Sequence, residues 1–397
     1  MKLKFSFICL FVFLPIVAFA KDWRSTFTAE LKNGGAIAVD QNGKVLFEHR
    51  AGDPFIPAST IKVATAAAAL KILGEDFRFQ TDFYTDADHK LYVKGYGDPS
   101  LVSEEWQVIA AELKAHGLKN VTTVVVDDSA FDPAINIDGA SASTNPYDAV
   151  NGALIANFNT INVSKTKTGA VVSAEPQTPI TPLVRDLAKK LGAGTQRVNL
   201  GKTAHIGARY AGEILVEFFR RENVVVTGGV VVGNTLPSAQ ILLEHKSTKT
   251  LADNLRGMLE FSTNFISNQL FLFLGRYELG GQATVSKGLQ TIQNFLAYDV
   301  GWNHFTLAEG AGLSRQNQVT PREMIQLLSY FEPHRDLLAL KEGVLRAKSG
   351  TLTGVNSLIG YFDSRTHGRV KFVILVNSPV AFDYKFKLGK FLYENLQ

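Results

Sequence analysis

Ser59 and Lys62 stand three residues apart in Ser59-Thr60-Ile61-Lys62, just after Pro57 and at the head of an alanine-rich stretch. On a helix that spacing puts both side chains on one face, within reach of each other. The partial positive charge of a helix N-terminus favours a developing serine alkoxide. A serine nucleophile needs a base, and a lysine can serve only if burial or a nearby cation pulls its pKa down from about 10.4. The chemistry open to such a pair is acyl transfer through a serine ester. The spacing alone is a weak signal, because Ser164-Lys165-Thr166-Lys167 repeats it in the same chain.

Ser-x-x-Lys gains meaning when a Ser-x-Asn and a Lys-(Ser/Thr)-Gly string accompany it. The chain offers both strings twice: Ser143-Thr144-Asn145 with Lys167-Thr168-Gly169, and Ser262-Thr263-Asn264 with Lys348-Ser349-Gly350-Thr351. Context separates the sets. Lys165 to Gly169 lies between two strand-like runs, Thr160–Val163 and Ala170–Ser173, and reads as a hairpin turn. Ser143-Thr144-Asn145 sits in a small-residue loop. In contrast, Ser262 and Asn264 fall at a junction of two helical segments, where polar tips can face a cleft. Lys348 to Thr351 comes just before a terminal strand pair and can lie along a sheet edge, with Gly350 admitting a substrate close to the backbone.

The elements that must position these residues follow from periodicity and turn residues. Gly35–Val39 and Lys44–Glu48 read as strands joined through Asn42-Gly43, a hairpin signal, and Thr60–Leu73 reads as a helix. Between about 85 and 243 the texture is of short β-rich pieces with helices near Glu104–His116 and Arg209–Arg221. A helical block follows to about Tyr298, then a helix near Arg322–Phe331, strands at Ser357–Phe362 and Val370–Val376, and a last helix near Phe382–Leu396. Strands at both ends suggest one sheet assembled from both termini. The expected division is residues 21–85 and 246–397 as a discontinuous catalytic domain, with residues 86–245 as an inserted mixed, β-rich region.

Composition bounds the class. With 41 Lys or Arg against 37 Asp or Glu, 46% hydrophobic and 20% charged residues, the chain is globular and too weakly charged for a nucleic-acid binder. The single cysteine, Cys9, excludes an intrachain disulfide and a thiolate-metal cluster. Residues 1–20 combine Lys2 and Lys4, an apolar run and Ala18-Phe19-Ala20, the pattern of a cleaved signal peptide. The expectation is an exported protein in the periplasm or cell-wall space, with no membrane span after cleavage. There is no Gly-x-Ser-x-Gly elbow. The histidines, among them His205 and His245, read as surface or loop residues with no metal-ligand spacing.

Several longer strings surround the second set: Pro57-Ala58-Ser59-Thr60-Ile61-Lys62, Gly95 to Leu101, Val126 to Phe131, Tyr210 to Glu213, Gly312 to Pro321, and Lys348 to Gly354 continuing to Gly360-Tyr361. In these the chain resembles the class C low-molecular-mass penicillin-binding proteins, the D-alanyl-D-alanine carboxypeptidase/endopeptidase family of the penicillin-binding protein 4 type (peptidase S13). Thr263 stands where the family usually has Asp, and Ser349 where it usually has Thr. The stretch after about Val163 is shorter than in larger members, so a smaller inserted domain is expected to be trimmed or rearranged.

The resemblance implies an α+β fold, a penicillin-binding transpeptidase/β-lactamase-like domain with an antiparallel sheet and helices. It implies Ser59 as nucleophile, Lys62 as general base and Ser262 as proton relay. Asn264, Lys348, Ser349, Gly350 and Thr351 would bind substrate, and Ser59 and Thr351 would lend backbone N–H groups to an oxyanion hole. Peptidoglycan stem peptides are the implied substrates and β-lactams the covalent inhibitors, with no metal or organic cofactor. Tyr147 and Asp148 are further candidates for substrate contact. The competing readings are a serine β-lactamase and a non-catalytic wall-binding module. No Glu-x-x-Leu-Asn follows Ser262 and no Tyr-x-Asn precedes Lys348, which argues against the lactamase; intact Ser59, Lys62 and Lys348 argue against the module.

Overall fold

The computed structural model describes residues 22–203 and 205–397, so the expected signal peptide lies outside the described residues. Helix α1 (Trp23–Glu30) leads into the hairpin of β1 (Gly34–Val39) and β2 (Val45–His49). Its turn is held by Asp40, whose carboxylate accepts the N–H groups of Asn42 and Lys44, both at 2.8 Å. Gly43 takes a φ of +82° there, a conformation that favours glycine. A 3₁₀ turn, Ala58–Ile61, then opens α2 (Lys62–Leu73), whose first nine residues are all buried. Small alanine side chains suit a helix surrounded on every side.

The middle of the chain supplies β3 (Gln80–Thr85), β4 (Leu91–Gly95), α3 (Ser103–Ala115), β5 (Asn120–Val121), β6 (Val124–Asp127), β7 (Thr160–Lys165), β8 (Val171–Ser173), α4 (Pro182–Ala188), β9 (Gly194–Asn199), α5 (Ile206–Arg221), β10 (Val225–Val226), β11 (Val230–Val232) and β12 (Gln240–Lys246). The last third contains α6 (Leu251–Phe261), α7 (Asn264–Leu279), α8 (Val285–Asn294), α9 (Pro321–Phe331), β13 (Leu340–Lys341), β14 (Leu345–Leu352), β15 (Val355–Ser364), β16 (Gly368–Val376) and α10 (Tyr384–Asn395).

A six-stranded antiparallel sheet, ordered β13-β14-β15-β16-β1-β2, joins both ends of the chain, with Gly34 opposite Val376. Period-two alternation divides its side chains between two cores. Ile37, Val39, Val373 and Leu375 face the cluster built with α2, α6, α7 and α9. Ala36, Ala38, Phe372 and Ile374 face the cluster that includes Phe27 of α1 and Leu388 and Leu392 of α10. The fold is the α+β arrangement expected.

The middle region has its own core around Trp106, Tyr210 and Phe219. Its five-stranded mixed sheet is ordered β11-β6-β4-β3-β12, and β8-β7-β9 form a small antiparallel sheet. Because β3 pairs with β4 and β12, this sheet begins at Gln80 and ends at Lys246, six residues before and one residue after the expected span of 86–245. The valine-rich stretch Val224–Val232 forms two short strands: β10 pairs with β5 and β11 with β6. Gly228 lies at the break, where a Cβ would meet the Thr122 carbonyl oxygen at 2.2 Å.

Candidate active site

The nucleophile candidate is held by an unusual turn. Ala58 is fully buried with a φ of +48°, and the Pro57 carbonyl accepts the hydroxyls of Thr60 and Ser357, each at 2.7 Å. Ser59 follows, partly exposed, and Lys62 one turn later is fully buried. The Lys62 ammonium donates to Ser59 Oγ at 3.0 Å, to Asn264 Oδ1 at 2.7 Å and to the Ala311 carbonyl. Burial pulls its pKa down to about 7, while Glu309 acts in the opposite direction. A lysine lowered that far is suited to act as a general base near neutral pH.

The second pair of strings converges on the same point. Ser262 ends α6 in the left-handed region, φ +57° and ψ +40°, and Asn264 begins α7 two residues later. A non-glycine residue held there costs of order 1–3 kcal/mol, a strain that clusters at functional sites. Lys348 Nζ donates to Ser262 Oγ and to the Ser349 carbonyl, both at 2.8 Å. Burial lowers the Lys348 pKa, and the nearby Lys62, Lys341 and Lys385 lower it further. Two ammonium groups in one cleft resist carrying charge together.

Lys348 to Leu352 is part of strand β14, which comes just before the strand pair β15 and β16. It pairs with β15 on one side only, since β13 reaches no further than Arg346. The Ala347 N–H bonds the Ala339 carbonyl on the β13 side, so alternation turns the Thr351 N–H to the same, open edge. The Ser59 turn packs on the face of β14 and β15. A Cβ on Gly350 would meet Ser59 N at 2.8 Å and the Pro57 carbonyl oxygen at 2.9 Å, so only glycine admits this approach.

Two participants were not read from the sequence. Glu309, 1% exposed, accepts the N–H groups of Ala311 and Gly312 at 2.7 Å and of Leu313 at 2.8 Å, and Asn317 Nδ2 at 2.7 Å. It shapes the loop whose Ala311 carbonyl receives Lys62. Its signal was its place three residues before the recognisable Gly312 string. Lys385, on α10, donates to Thr351 Oγ1 at 2.7 Å; no local string marks it.

The other copies of the motifs do not assemble. Ser143 Oγ bonds Asp148, Asn145 Nδ2 bonds the Tyr147 hydroxyl, and Lys167 to Gly169 is an exposed turn between β7 and β8. Asp148 is buried and occupied by Ser141 and Ser143, while Tyr147 is exposed. His245 corrects the surface reading: it is 2% exposed, its ring nitrogens bonded to Glu112 at 2.7 Å and Glu105 at 2.8 Å. Those two carboxylates raise its pKa against the opposing effect of burial.

Comparison with known proteins fits this geometry. The D-alanyl-D-alanine carboxypeptidase of Actinomadura sp. strain R39 is 26% identical over 86% of this chain and 77% of its own. D-alanyl-D-alanine carboxypeptidase DacB of Haemophilus influenzae is 26% identical over 90% and 88%. The crystal structure of that organism's penicillin-binding protein 4 superposes with a TM-score of 0.75 at 22% identity, covering 93% of this chain and 99% of that one. A predatory peptidoglycan endopeptidase of Bdellovibrio bacteriovorus shares the fold at TM-score 0.56 and 14% identity, over 91% and 92%. The sequence matches the D-Ala-D-Ala carboxypeptidase 3 (S13) family over residues 28–203, 186–342 and 338–387. By that match, which spans nearly the whole described chain, the protein belongs to the S13 family of serine-type hydrolases.

Proposed function

We propose that this chain is a serine D-Ala-D-Ala carboxypeptidase acting on peptidoglycan stem peptides. The observation that carries the reading is the buried Lys62 ammonium, 3.0 Å from Ser59 Oγ and lowered to a pKa of about 7. Neutral Lys62 takes the Ser59 proton as Oγ attacks the carbonyl of the penultimate D-Ala. The oxyanion that forms lies between the N–H groups of Ser59 and Thr351, a type of donor worth about 3 kcal/mol each. As the tetrahedral intermediate collapses, the proton passes by way of Ser262 to the departing D-Ala amine. Water then cleaves the ester and frees Ser59.

Asn264 Oδ1 is engaged by Lys62, which leaves its Nδ2 to donate to a substrate carbonyl. Ser349 and Thr351 alternate onto one face of β14 and offer hydroxyls to the terminal carboxylate, with Lys348 adding positive charge. The same acylation by a β-lactam would block the site; the Haemophilus influenzae structure has also been solved with a β-lactam bound. The reading includes export, the division into a catalytic domain and an inserted one, and action on D-Ala cross-links, the last suggested by the endopeptidase name of the Bdellovibrio relative. Among the described residues no helix is long and apolar enough to cross a membrane.

The test is the mature protein with a fluorescent penicillin beside Ser59→Ala, followed by a pentapeptide muropeptide and a cross-linked dimer. Labelling lost in the variant and D-Ala released by the parent are expected. Labelling that persists in Ser59→Ala would sink the nucleophile assignment.

A further inference from the structure

Lys385 is a fully buried lysine with no ion pair to a carboxylate among the described residues. Its neighbour Asp383 is paired instead with Lys387 at 2.9 Å. The three donors of the Lys385 ammonium have other partners: Thr351 Oγ1 at 2.7 Å, the Phe382 carbonyl at 2.9 Å, and the face of the Phe382 ring, 4.1 Å from Nζ. It sits in the first turn of α10, the end of a helix that disfavours a cation. Asn356 fixes that turn to β15 by accepting the Lys385 N–H at 3.3 Å and donating to the Ala381 carbonyl at 3.2 Å. A buried cation at an unfavourable helix end, with no carboxylate in direct contact and only the nearby Asp383 to oppose the cost of burial, is costly unless something uses it.

Thr351 shows what uses it. Thr351 is exposed at the end of β14, its side chain on the face toward α10 and beside a groove lined by Thr353, Val380 and Phe382. Because the ammonium donates to Thr351 Oγ1, the hydroxyl's own hydrogen must point elsewhere, and no acceptor takes it among the described residues. One lone pair is occupied on the protein side, which leaves the O–H free to donate to a group outside the protein. A donor polarised by a cation behind it suits an anion and discriminates against a neutral group of the same shape.

We propose that Lys385 is a positioning residue that turns the Thr351 hydroxyl to donate to the free carboxylate of the substrate's last residue, and so sets the preference for a chain end over an amidated end. This rests on the carboxypeptidase reading above. The ammonium needs no contact with substrate; it acts through Thr351 and through its field. Burial lowers its pKa to about 8, which leaves it mostly charged at neutrality.

The experiment compares D-Ala release from an N-acylated peptide ending in D-Ala-D-Ala with release of D-Ala amide from the same peptide amidated at its C-terminus. In Lys385→Met, kcat/KM for the free carboxylate should fall about tenfold, mainly through KM, with the amide rate unchanged. Lys385→Arg, which keeps the charge, should recover part of the ratio. An unchanged carboxylate-to-amide ratio in Lys385→Met overturns the proposal, whether both rates fall or neither does. If the parent protein releases no D-Ala yet binds fluorescent penicillin, the carboxypeptidase reading fails alone. Acylation by a penicillin against its methyl ester then decides Lys385 by the same ratio. Absence of both activities overturns both.

Discussion

The same strings occur in two regions of this molecule and converge in only one of them. In the middle region, Lys167 is exposed on a hairpin turn and Ser143 and Asn145 bond within their own loop. In the cleft, Lys62 and Lys348 are buried against neutral oxygens: hydroxyls, a carboxamide and peptide carbonyls. The treatment of buried charge differs too. His245 in the middle region lies between two glutamates, so its charge is answered on the spot. The cleft lysines have no carboxylate in hydrogen-bond contact, and burial drives their pKa values down. What sets the cleft Ser-x-x-Lys apart is thus the burial of its lysine with no carboxylate in hydrogen-bond contact, not the spacing.

The contrast can be broken at several points. Ser59→Ala should abolish the acyl-enzyme seen by intact-mass measurement after penicillin treatment, whereas Ser164→Ala should label fully. Lys62→Met should slow acylation by about 10²- to 10⁴-fold in stopped-flow fluorescence, the usual worth of a positioned base, and Lys167→Met should not change it. Gly350→Val drives a side chain against Ser59 N and the Pro57 carbonyl and should reduce acylation by at least about tenfold. Gly169→Ala, at φ +92° with open space around it, should cost only about 1 kcal/mol in thermal unfolding, with acylation untouched.

The finest test is pH. A base works when deprotonated, so acylation should rise with pH through about 7, the Lys62 value. Glu309 opposes that lowering, so Glu309→Gln should move the midpoint to lower pH. A midpoint near the ordinary lysine range would refute Lys62 as base.

Most of the cleft was legible because its residues come in short strings at element ends: Ser59 and Lys62 at the start of α2, Ser262 and Asn264 at a helix junction, Lys348 to Thr351 on a strand. Glu309 and Lys385 were not, because their roles come from a folded loop and from a helix docked on a distant strand. The same limit applies to the fold. The hairpin of β1 and β2 announces itself through Asn42-Gly43, while β3 and β12 carry the mixed polar strings Gln80–Thr85 and Gln240–Lys246 and become strands by pairing with each other. His245 looked like a surface residue because its two partners lie far away on α3.

The place of β1 in the large sheet, between β16 and β2, has a consequence for how the protein comes into being. The Ser59 turn leans on β14, and β14 reaches β1 only through β15 and β16, which are made last. A growing polypeptide therefore contains its serine and lysine long before it contains the edge that completes them. Such distant pairing is slow to form. Reactivity should appear all at once, when the final strands and α10 close over the first, and a chain cut short before them should acquire none.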